Sequence, residues 1–423
     1  GFGEWGYVVF GRAGVGAQLA KRFVSPFPNE ARDAGRPVRT RPAHALQTSL
    51  GGVFGLNYGW EHVQWFADHP DAKDTNGFTR QNWFEPVGRE CRMLRNAAGI
   101  IDISNFAKYR VRGGQAEAWL NAVFANTMPK AVGRSCLTPL IGVRGGIAGD
   151  FTVTRLAEDE FMIIGSGMAE RYHQRFWKMV PMPAGVSFES LTEALCGFNV
   201  AGPKSRALLQ RLTNTSLATE DFPFMRSKRI ELAGVDCVAL RVSFTGDLGW
   251  ELHCKTEDQL RLYEALLDCG KDFDAGPVGA RALMSLRIEK GYGSWSREYS
   301  PEYWPQEVGL AGLVKLDKEF LHKEAYLTIK DNAPRERLCI VEILAPDQAD
   351  ATGGEPIFNK VGVGVGRVTS GTFGYGVNKS LALCYLKNVA AGDALDVMIL
   401  GKPHHAIVLP EAPFDPKGEK LRA

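Results

Sequence analysis

After about residue 335 the hydrophobic pattern changes its period, and that change constrains the fold more than any other feature of the chain. "LCIVEILA", "GVGVGRVTSG", "KSLALCYL" and "DALDVMIL" are short apolar runs separated by Gly, Pro, Asn and Asp. Short runs bounded by turn formers, with no helical spacing between them, predict a small all-β barrel or sandwich. From about 85 to 330 the pattern is mixed instead. "AKYRVRGG" alternates and "QAEAWLNAVFA" carries helical spacing. "DEFMIIGS" reads as a buried strand and "AERYHQRFWKMV" as an amphipathic helix. "VALRVSFTGDLGWELHC" (238–254) reads as a hairpin turning at "TGDLG". Thr256 with Gln259 predicts a capping box opening the next helix. "PVGARALMSLRIEKGYG" predicts a further helix that ends at glycine. The expected fold class is α+β, multi-domain, with a C-terminal small β-barrel.

The 423 residues exceed one ordinary core and predict two or three domains. The pattern divides them as 1–84, 85–332 and 333–423. At 7–23, "YVVFGRAGVGAQLAKRF" suggests a strand, a glycine turn and a helix. Gly11, Gly14 and Gly16 are spaced G-x-x-G-x-G, not G-x-G-x-x-G, and a loop-like stretch follows in place of an acid-ended strand. A strand–helix end-piece of something larger is therefore preferred to a nucleotide loop. Residue 1 is glycine, which leaves a processed chain and a piece of a longer polypeptide both open. Residues 46–90 are rich in aromatics. Tyr58, Trp60, Trp65 and Trp83 suit a docking surface, a pocket lining or packing between domains, with packing preferred.

Charge and cysteine usage exclude several functions. Lys plus Arg number 50 against 48 acids, so a net charge of +2 makes no electrostatic case for nucleic acid or an anionic membrane. The longest apolar runs, such as "FMIIG", fall far short of the roughly 20 residues a membrane span needs. Eight cysteines form no C-x-x-C pair and have no H-x-H or H-E-x-x-H companion, which argues against a metal site. Buried reduced thiols fit a reducing compartment, the cytoplasm or, in a eukaryote, the mitochondrial matrix.

Three side chains stand out as candidates for chemistry. Asp150 in "RGGIAGDFTVTRL" sits where a glycine turn becomes a strand, among neighbours too small to cover its carboxylate. The ordinary alternative is a turn aspartate bonding its own backbone. Glu251 shares a strand face with His253, while Trp250 and Leu252 take the other. An acid there faces solvent or meets a donor-rich ligand, since burying it unpaired is costly. Its two oxygens suit a planar N–C–NH₂ edge. Asp247 in the same hairpin reads as turn chemistry. Arg281 follows a helix start whose Ala282, Leu283 and Leu286 point to a core; it ends at a carboxylate ligand or at a structural acid. Arg287, Glu289 and Lys290 read as a solvated or salt-bridged face. His404 and His405 read as a turn-like loop. Neither a Ser/His/Asp nor a Cys/His grouping shows itself, and no G-x-S-x-G or Walker loop occurs.

Five motifs occur in a telling order: "IIDISNFAKYRVRG", "GGIAGDFTVTRL", "ALRVSFTGDLGWELH", "LMSLRIEKGYGSW" and "VGRVTSGTFGYGVNKSLALCYL". Together they resemble the tetrahydrofolate-dependent aminomethyltransferase (glycine-cleavage T-protein) family, over about 35–420. The similarity is greatest to the C-terminal folate half of dimethylglycine and sarcosine dehydrogenases, where a flavin oxidase domain precedes the folate domain. The resemblance makes 1–24 the last strand and helix of such a flavin domain and the Trp-rich stretch a bridge.

The resemblance also implies roles. Asp150 lies beside the folate's reactive nitrogens as the catalytic residue, orienting the nucleophilic amine and managing its proton, and Glu251 binds the pterin. Arg281, Phe244 and Tyr292 contact the folate. The implied reaction captures an iminium carbon, from a dimethylglycine- or sarcosine-like amine, as methylene-tetrahydrofolate. FAD enters only through another domain or a partner oxidase subunit. Direct methyl transfer from a sulfonium, ether or methylamine donor is one alternative; a non-catalytic subunit of a flavin-dependent complex is another. Three departures from the family pattern stand out. Phe244 replaces a tyrosine, Gly149–Asp150 replaces two adjacent aspartates, and Gly165 replaces a ligand-side asparagine.

Overall fold

The computed structural model describes residue 16 and, apart from 26, 29, 32, 70 and 346, residues 23–423. The strand–turn–helix expected at 7–23 falls outside the described residues, Gly16 and Phe23 excepted. A hairpin comes first, β1 (Gly52–Asn57) against β2 (Trp60–Phe66). Its two-residue loop, Tyr58–Gly59, has φ of 53° and 87°. Two successive positive φ values are what a tight hairpin needs to match strand twist. Behind it lies the helix Phe84–Asn96, whose Val87, Cys91 and Leu94 pack with Val53 and Trp65 of the hairpin. The aromatic stretch divides: Trp60 and Trp65 are packing, while Tyr58 and Trp83 line a cavity. Trp65 is buried, and Trp60 is sandwiched by the guanidiniums of Arg39 and Arg41, each 3.7 Å from its ring centre.

Two sheets build the body. The chain enters the first with β3 (Gly99–Asp102) and then makes a second, five-stranded sheet. The latter comprises β4 (Ala107–Arg112), β5 (Ser135–Ile141), β6 (Ile147–Ala157), β7 (Glu160–Gly165) and β8 (Ser187–Ser190), in the order β5-β6-β7-β4-β8. The chain returns to the first sheet with β9 (Leu195–Ala201), β10 (Ser227–Leu232), β11 (Val235–Leu240), β12 (Gly249–Lys255) and β13 (Gly276–Val278). That sheet is six-stranded, β10-β11-β12-β9-β3-β13, antiparallel except for β3 with β13. Each sheet buries one face under helices, the first with Trp250, Leu252, Leu262 and Leu266, the second with Tyr109, Trp119, Leu120 and Trp177.

A closed barrel follows: β14 (Arg337–Ile343), β15 (Pro356–Asn359), β16 (Gly364–Gly374), β17 (Lys379–Leu386), β18 (Ala394–Ile399) and β19 (Lys402–Val408). Closure leaves no sheet edge unpaired, which suits a run of short strands. The fold is the expected mixture of helix and sheet with a small β-barrel at its C-terminal end.

Several local expectations need correction. Thr256 forms no capping box: its hydroxyl donates to the Glu193 carbonyl (2.6 Å), and no side-chain cap bond is made there. The Gln259 amide turns instead to Asp102 (3.1 Å) and Ser104 (3.1 Å), because the core offers it a second set of partners. The hairpin of 238–254 turns through the wider loop 241–248, since only Val238 to Leu240 pair with β12. Asp247 is less a turn residue than an ion-pair partner, buried against Arg95. For Arg287, Glu289 and Lys290 the salt-bridged reading holds and the solvated one does not. All three are buried, and each finds an acid or a base: Glu298, Arg95 and Asp415 respectively. His404 and His405 lie on β19, paired with Asp347 and Asp396, rather than in a loop.

Candidate functional site

One cavity of about 830 Å³ opens where both sheets, the helix Ala280–Glu289 and the barrel meet. Asp150, Glu251, Phe244, Tyr292 and Arg281 all line it. The sequence separates them by up to 142 residues (150 to 292), and the fold gathers them on one wall system.

Asp150 stands on β6, opposite Pro139 of β5, four residues beyond the turn closed by Gly142 and Gly146, in which Gly145 is left-handed (φ 78°). Its Oδ1 is buried and has no hydrogen-bond partner. Burial pushes the carboxyl up to about 6, opposed only by its own backbone N–H. A carboxylate poised near neutrality, aimed at a cavity and unpartnered, is the pattern of a proton acceptor awaiting a donor. Its own backbone N–H is the contact that the ordinary alternative expects, and no hydrogen bond ties the side chain to the turn 142–146.

Small residues make room beside it. A Cβ on Gly149 would lie 2.7 Å from Phe151 Cε2 and 2.8 Å from His173 Nε2. One on Gly165 would lie 2.6 Å from Phe151 Cε1. The Phe151 ring therefore fills the space that side chains at 149 and 165 would claim, and the two departures noted in the sequence share one cause.

Glu251 stands on β12 of the other sheet, between Leu240 of β11 and Asn199 of β9. As the strand period requires, Trp250 and Leu252 enter the core while Glu251 and His253 share the opposite face. Glu251 Oε2 lies 3.6 Å from His253 Nε2. Phe244, from the loop 241–248, stacks on Tyr292 with ring centres 5.9 Å apart and planes 21° from parallel. Tyr292 reaches the cavity because Gly291 takes φ 72°, breaking the helix while the Tyr292 N–H donates to the Arg287 carbonyl (2.9 Å).

Arg281 lies in the first turn of that helix and gives both Nη atoms to Asp74, at 2.8 Å each. Asp74 also accepts the Trp65 indole N–H (2.7 Å). Arg281 Nε is buried without a partner. Of the five candidates it is thus the one already held by a protein acid.

The sequence reading missed the segment that braces the site. Arg287 and Glu298 are both fully buried and 2.8 Å apart. Arg287 also donates to Ser370 (2.7 Å) on β16 and to the Tyr292 carbonyl (2.8 Å). Glu298 accepts from Thr369 (2.7 Å), from Ser370 and from the Ser294 N–H (2.9 Å). This network pins the loop 292–299 to the barrel. The loop carries Tyr299, whose phenol lines the cavity and is pushed up by burial and by the nearby Asp150 charge. A single-sequence signal for that bracing does not exist, since its acid and base come from different elements.

Among the described residues, no cluster of His, Cys, Asp or Glu could hold a metal, and no helix is long and apolar enough to cross a membrane. All eight cysteines are free.

Two packed sheets joined to a closed barrel around a carboxylate-lined cavity define the aminomethyltransferase fold. The crystal structure of aminomethyltransferase T of the glycine cleavage system from Bartonella henselae has the same fold, with a TM-score of 0.76 at 23% identity over 89% of this chain and 98% of that one. The GCVT N-terminal domain family matches residues 43–318, and the glycine cleavage T-protein C-terminal barrel domain matches 336–415. The chain belongs to the glycine cleavage T-protein family. Mouse mitochondrial dimethylglycine dehydrogenase is 33% identical over 421 residues, 97% of this chain and 48% of that protein. An aminomethyltransferase of Thermoanaerobacter is 26% identical over 340 residues, 79% of this chain and 91% of that protein. The chain spans about half the length of the dehydrogenase relatives it matches. The family is one of enzymes.

Proposed function

We propose that the chain carries out tetrahydrofolate-dependent one-carbon transfer in the demethylation of an N-methylated amine of the dimethylglycine or sarcosine kind. The observation that carries the reading is the convergence of two carboxylates, Asp150 and Glu251, from two different sheets on one cavity of about 830 Å³. That volume suits a small-molecule site. The residues fit the folate chemically. Glu251 offers two acceptors to the N–C–NH₂ edge of a pterin. Phe244 and Tyr292 offer stacked aromatic surface at 5.9 Å. Asp150 Oδ1 is a buried acceptor without a donor.

Bound tetrahydrofolate supplies nucleophilic amine nitrogens that can accept a one-carbon unit. The protein's part is to orient and to manage a proton. Glu251 fixes the heterocycle at one end, and Asp150 Oδ1 takes the proton lost as an amine nitrogen is alkylated. The small neighbours Gly149 and Gly165 leave room for the Phe151 ring, which lines the cavity beside Asp150. Arg281 shapes the wall through its two hydrogen bonds to Asp74. Raising the methyl carbon to the iminium level is a two-electron oxidation. We assign it to FAD in a fused domain or partner oxidase subunit, to which residues 1–84 form the bridge, and to no residue of this chain.

Isothermal titration with tetrahydrofolate tests the reading. Wild type should bind, Glu251→Ala should not, and Asp150→Ala should bind without yielding product. Absence of binding by wild type, or unchanged binding by Glu251→Ala, would sink it.

A further inference from the structure

We infer that His253 is a positioning residue for Glu251: it holds one carboxylate oxygen from below and so fixes the plane in which both oxygens meet the ligand. The inference rests on the pterin role proposed for Glu251 and adds to it a side chain that touches no ligand.

The placement is specific. His253 and Glu251 lie two apart on β12 and so share a face. Glu251 lines the cavity, its side chain 18% exposed, while the His253 side chain is wholly buried behind it. The Nε2 to Oε2 distance is 3.6 Å, slightly beyond a hydrogen bond. Both ring nitrogens lack a hydrogen-bond partner. A fully buried imidazole with no partner is costly, and the nearest acceptor its N–H can reach is the Glu251 carboxylate. A small rotation of either side chain closes the gap.

The neighbouring strand is built around the ring. His253 pairs with Gly197 of β9, and a Cβ on Gly197 would lie 2.9 Å from His253 Nδ1. Any other residue at 197 would push the imidazole out of place. Nδ1 has no hydrogen-bond partner, so the carboxylate 3.6 Å from Nε2 is what favours the ring proton on Nε2.

Charge acts in the same sense. Burial lowers the His253 pKa, with the Lys108 charge adding to the effect and Glu251 opposing it, so the ring is neutral near pH 7. Lys108 is itself fully buried, its ammonium donating to the carbonyls of Ser104 and Phe106, at 2.9 Å each. A neutral ring donates one hydrogen bond to Glu251 without cancelling its charge. Oε2 then accepts from the protein side through one lone pair, and each oxygen keeps a lone pair for the ligand's N–C–NH₂ edge.

The test is a titration of the full chain with tetrahydrofolate, on wild type, Glu251→Gln, His253→Leu, His253→Gln and the double variant Glu251→Gln/His253→Leu, with a melting curve for each. His253→Leu should bind about ten- to a hundredfold more weakly, the range a hydrogen bond to a charged group commands. His253→Gln, which keeps a donor, should regain most of that loss. The double variant should bind no more weakly than Glu251→Gln alone. Wild-type affinity in His253→Leu, or losses that multiply in the double variant, overturn the inference while leaving the pterin role of Glu251 intact. If His253→Leu does not fold, His253→Gln decides: wild-type-like affinity supports a donor role, and a loss as large as that of Glu251→Gln overturns it. Failure of wild type to bind, or indifference to Glu251→Gln, overturns the pterin reading and this inference with it.

Discussion

Arg281 and Asp74 are joined by two hydrogen bonds of 2.8 Å each, and the same carboxylate accepts the Trp65 indole at 2.7 Å. The guanidinium is therefore committed before any ligand arrives. Its 11% exposed side chain closes one wall of the cavity against the hairpin β1–β2. Arg281→Met should lower the melting temperature by several degrees through the stranded Asp74. It should weaken tetrahydrofolate binding less than tenfold, where Glu251→Ala weakens it at least a hundredfold. The reverse ranking by calorimetry, with melting unchanged, would give Arg281 a direct ligand contact.

Asp150 sets the pH dependence of the proposed reaction. Its carboxyl is pushed up to about 6 by burial, so it is mostly protonated below that pH and a base above it. The pH profile of kcat/KM for one-carbon transfer should rise with pH through a midpoint near 6. Asp150→Asn should lose on the order of a hundredfold or more at every pH and abolish that limb. Mass spectrometry of the product separates the chemistry: methylene-tetrahydrofolate marks capture of an iminium carbon, and methyl-tetrahydrofolate marks direct methyl transfer.

Glu90 governs stability rather than catalysis. It is buried in the helix Phe84–Asn96 and accepts the N–H groups of Phe66 (2.6 Å) and Gly279 (2.8 Å), tying the hairpin to the start of the helix Ala280–Glu289. Burial pushes its carboxyl from 4.5 up to about 8. Between those values the folded state holds a proton that the unfolded state has lost, so stability falls as pH rises. Asp150 and Asp247 act with the same sign, but only up to about 6. His173, His253 and Lys108, all lowered by burial, act with the opposite sign in part of the window from pH 6.5 to 8, so Glu90 is isolated by comparing wild type with Glu90→Gln in urea unfolding at both pH values. Between pH 6.5 and 8, wild type should lose on the order of 2 kcal/mol relative to Glu90→Gln.

How much of this was legible follows from where each determinant lives. Glu251 and His253 could be placed on one face from the strand period alone, because an alternation of two needs no partner to be read. The barrel was legible for the same reason, as short runs between turn formers. Arg287, Glu289 and Lys290 were legible only in part: three charges within four residues read equally as a solvated or a salt-bridged face, and the barrel and the loop 292–299 decide for buried ion pairs. The capping box at Thr256 failed likewise, since Gln259 found Asp102 and Ser104, which lie more than 150 residues away in sequence. Local pattern decides elements; which polar groups are buried is decided by elements that arrive later in the chain.

Arg287 and Glu298 show the energetic consequence. Both are fully buried and 2.8 Å apart, and Glu298 also gathers Thr369, Ser370 and Ser294. Arg287→Met strands a buried carboxylate and should cost about 3–5 kcal/mol in chemical denaturation. Arg287→Met/Glu298→Gln removes the stranded charge and should recover part of that loss. If the double variant is as unstable as the sum of the singles, the two residues act independently.

Phe151 predicts how the site resists conversion to a two-aspartate form. Its ring edge occupies the positions that side chains at 149 and 165 would need, at 2.7 and 2.6 Å from their Cβ atoms. The ring is itself buried against Phe124, His173 and Trp177, so it has little room to retreat. Gly149→Asp should therefore cost about 1–3 kcal/mol from overpacking, with the added charge making it worse. Phe151→Leu in the same chain should relieve part of that cost, because the shorter side chain leaves the space beside residue 149 free. The measurement is a double-mutant cycle by denaturant unfolding. A coupling energy near zero would mean that the ring and the missing aspartate are unrelated, and that Gly149 answers to some other constraint.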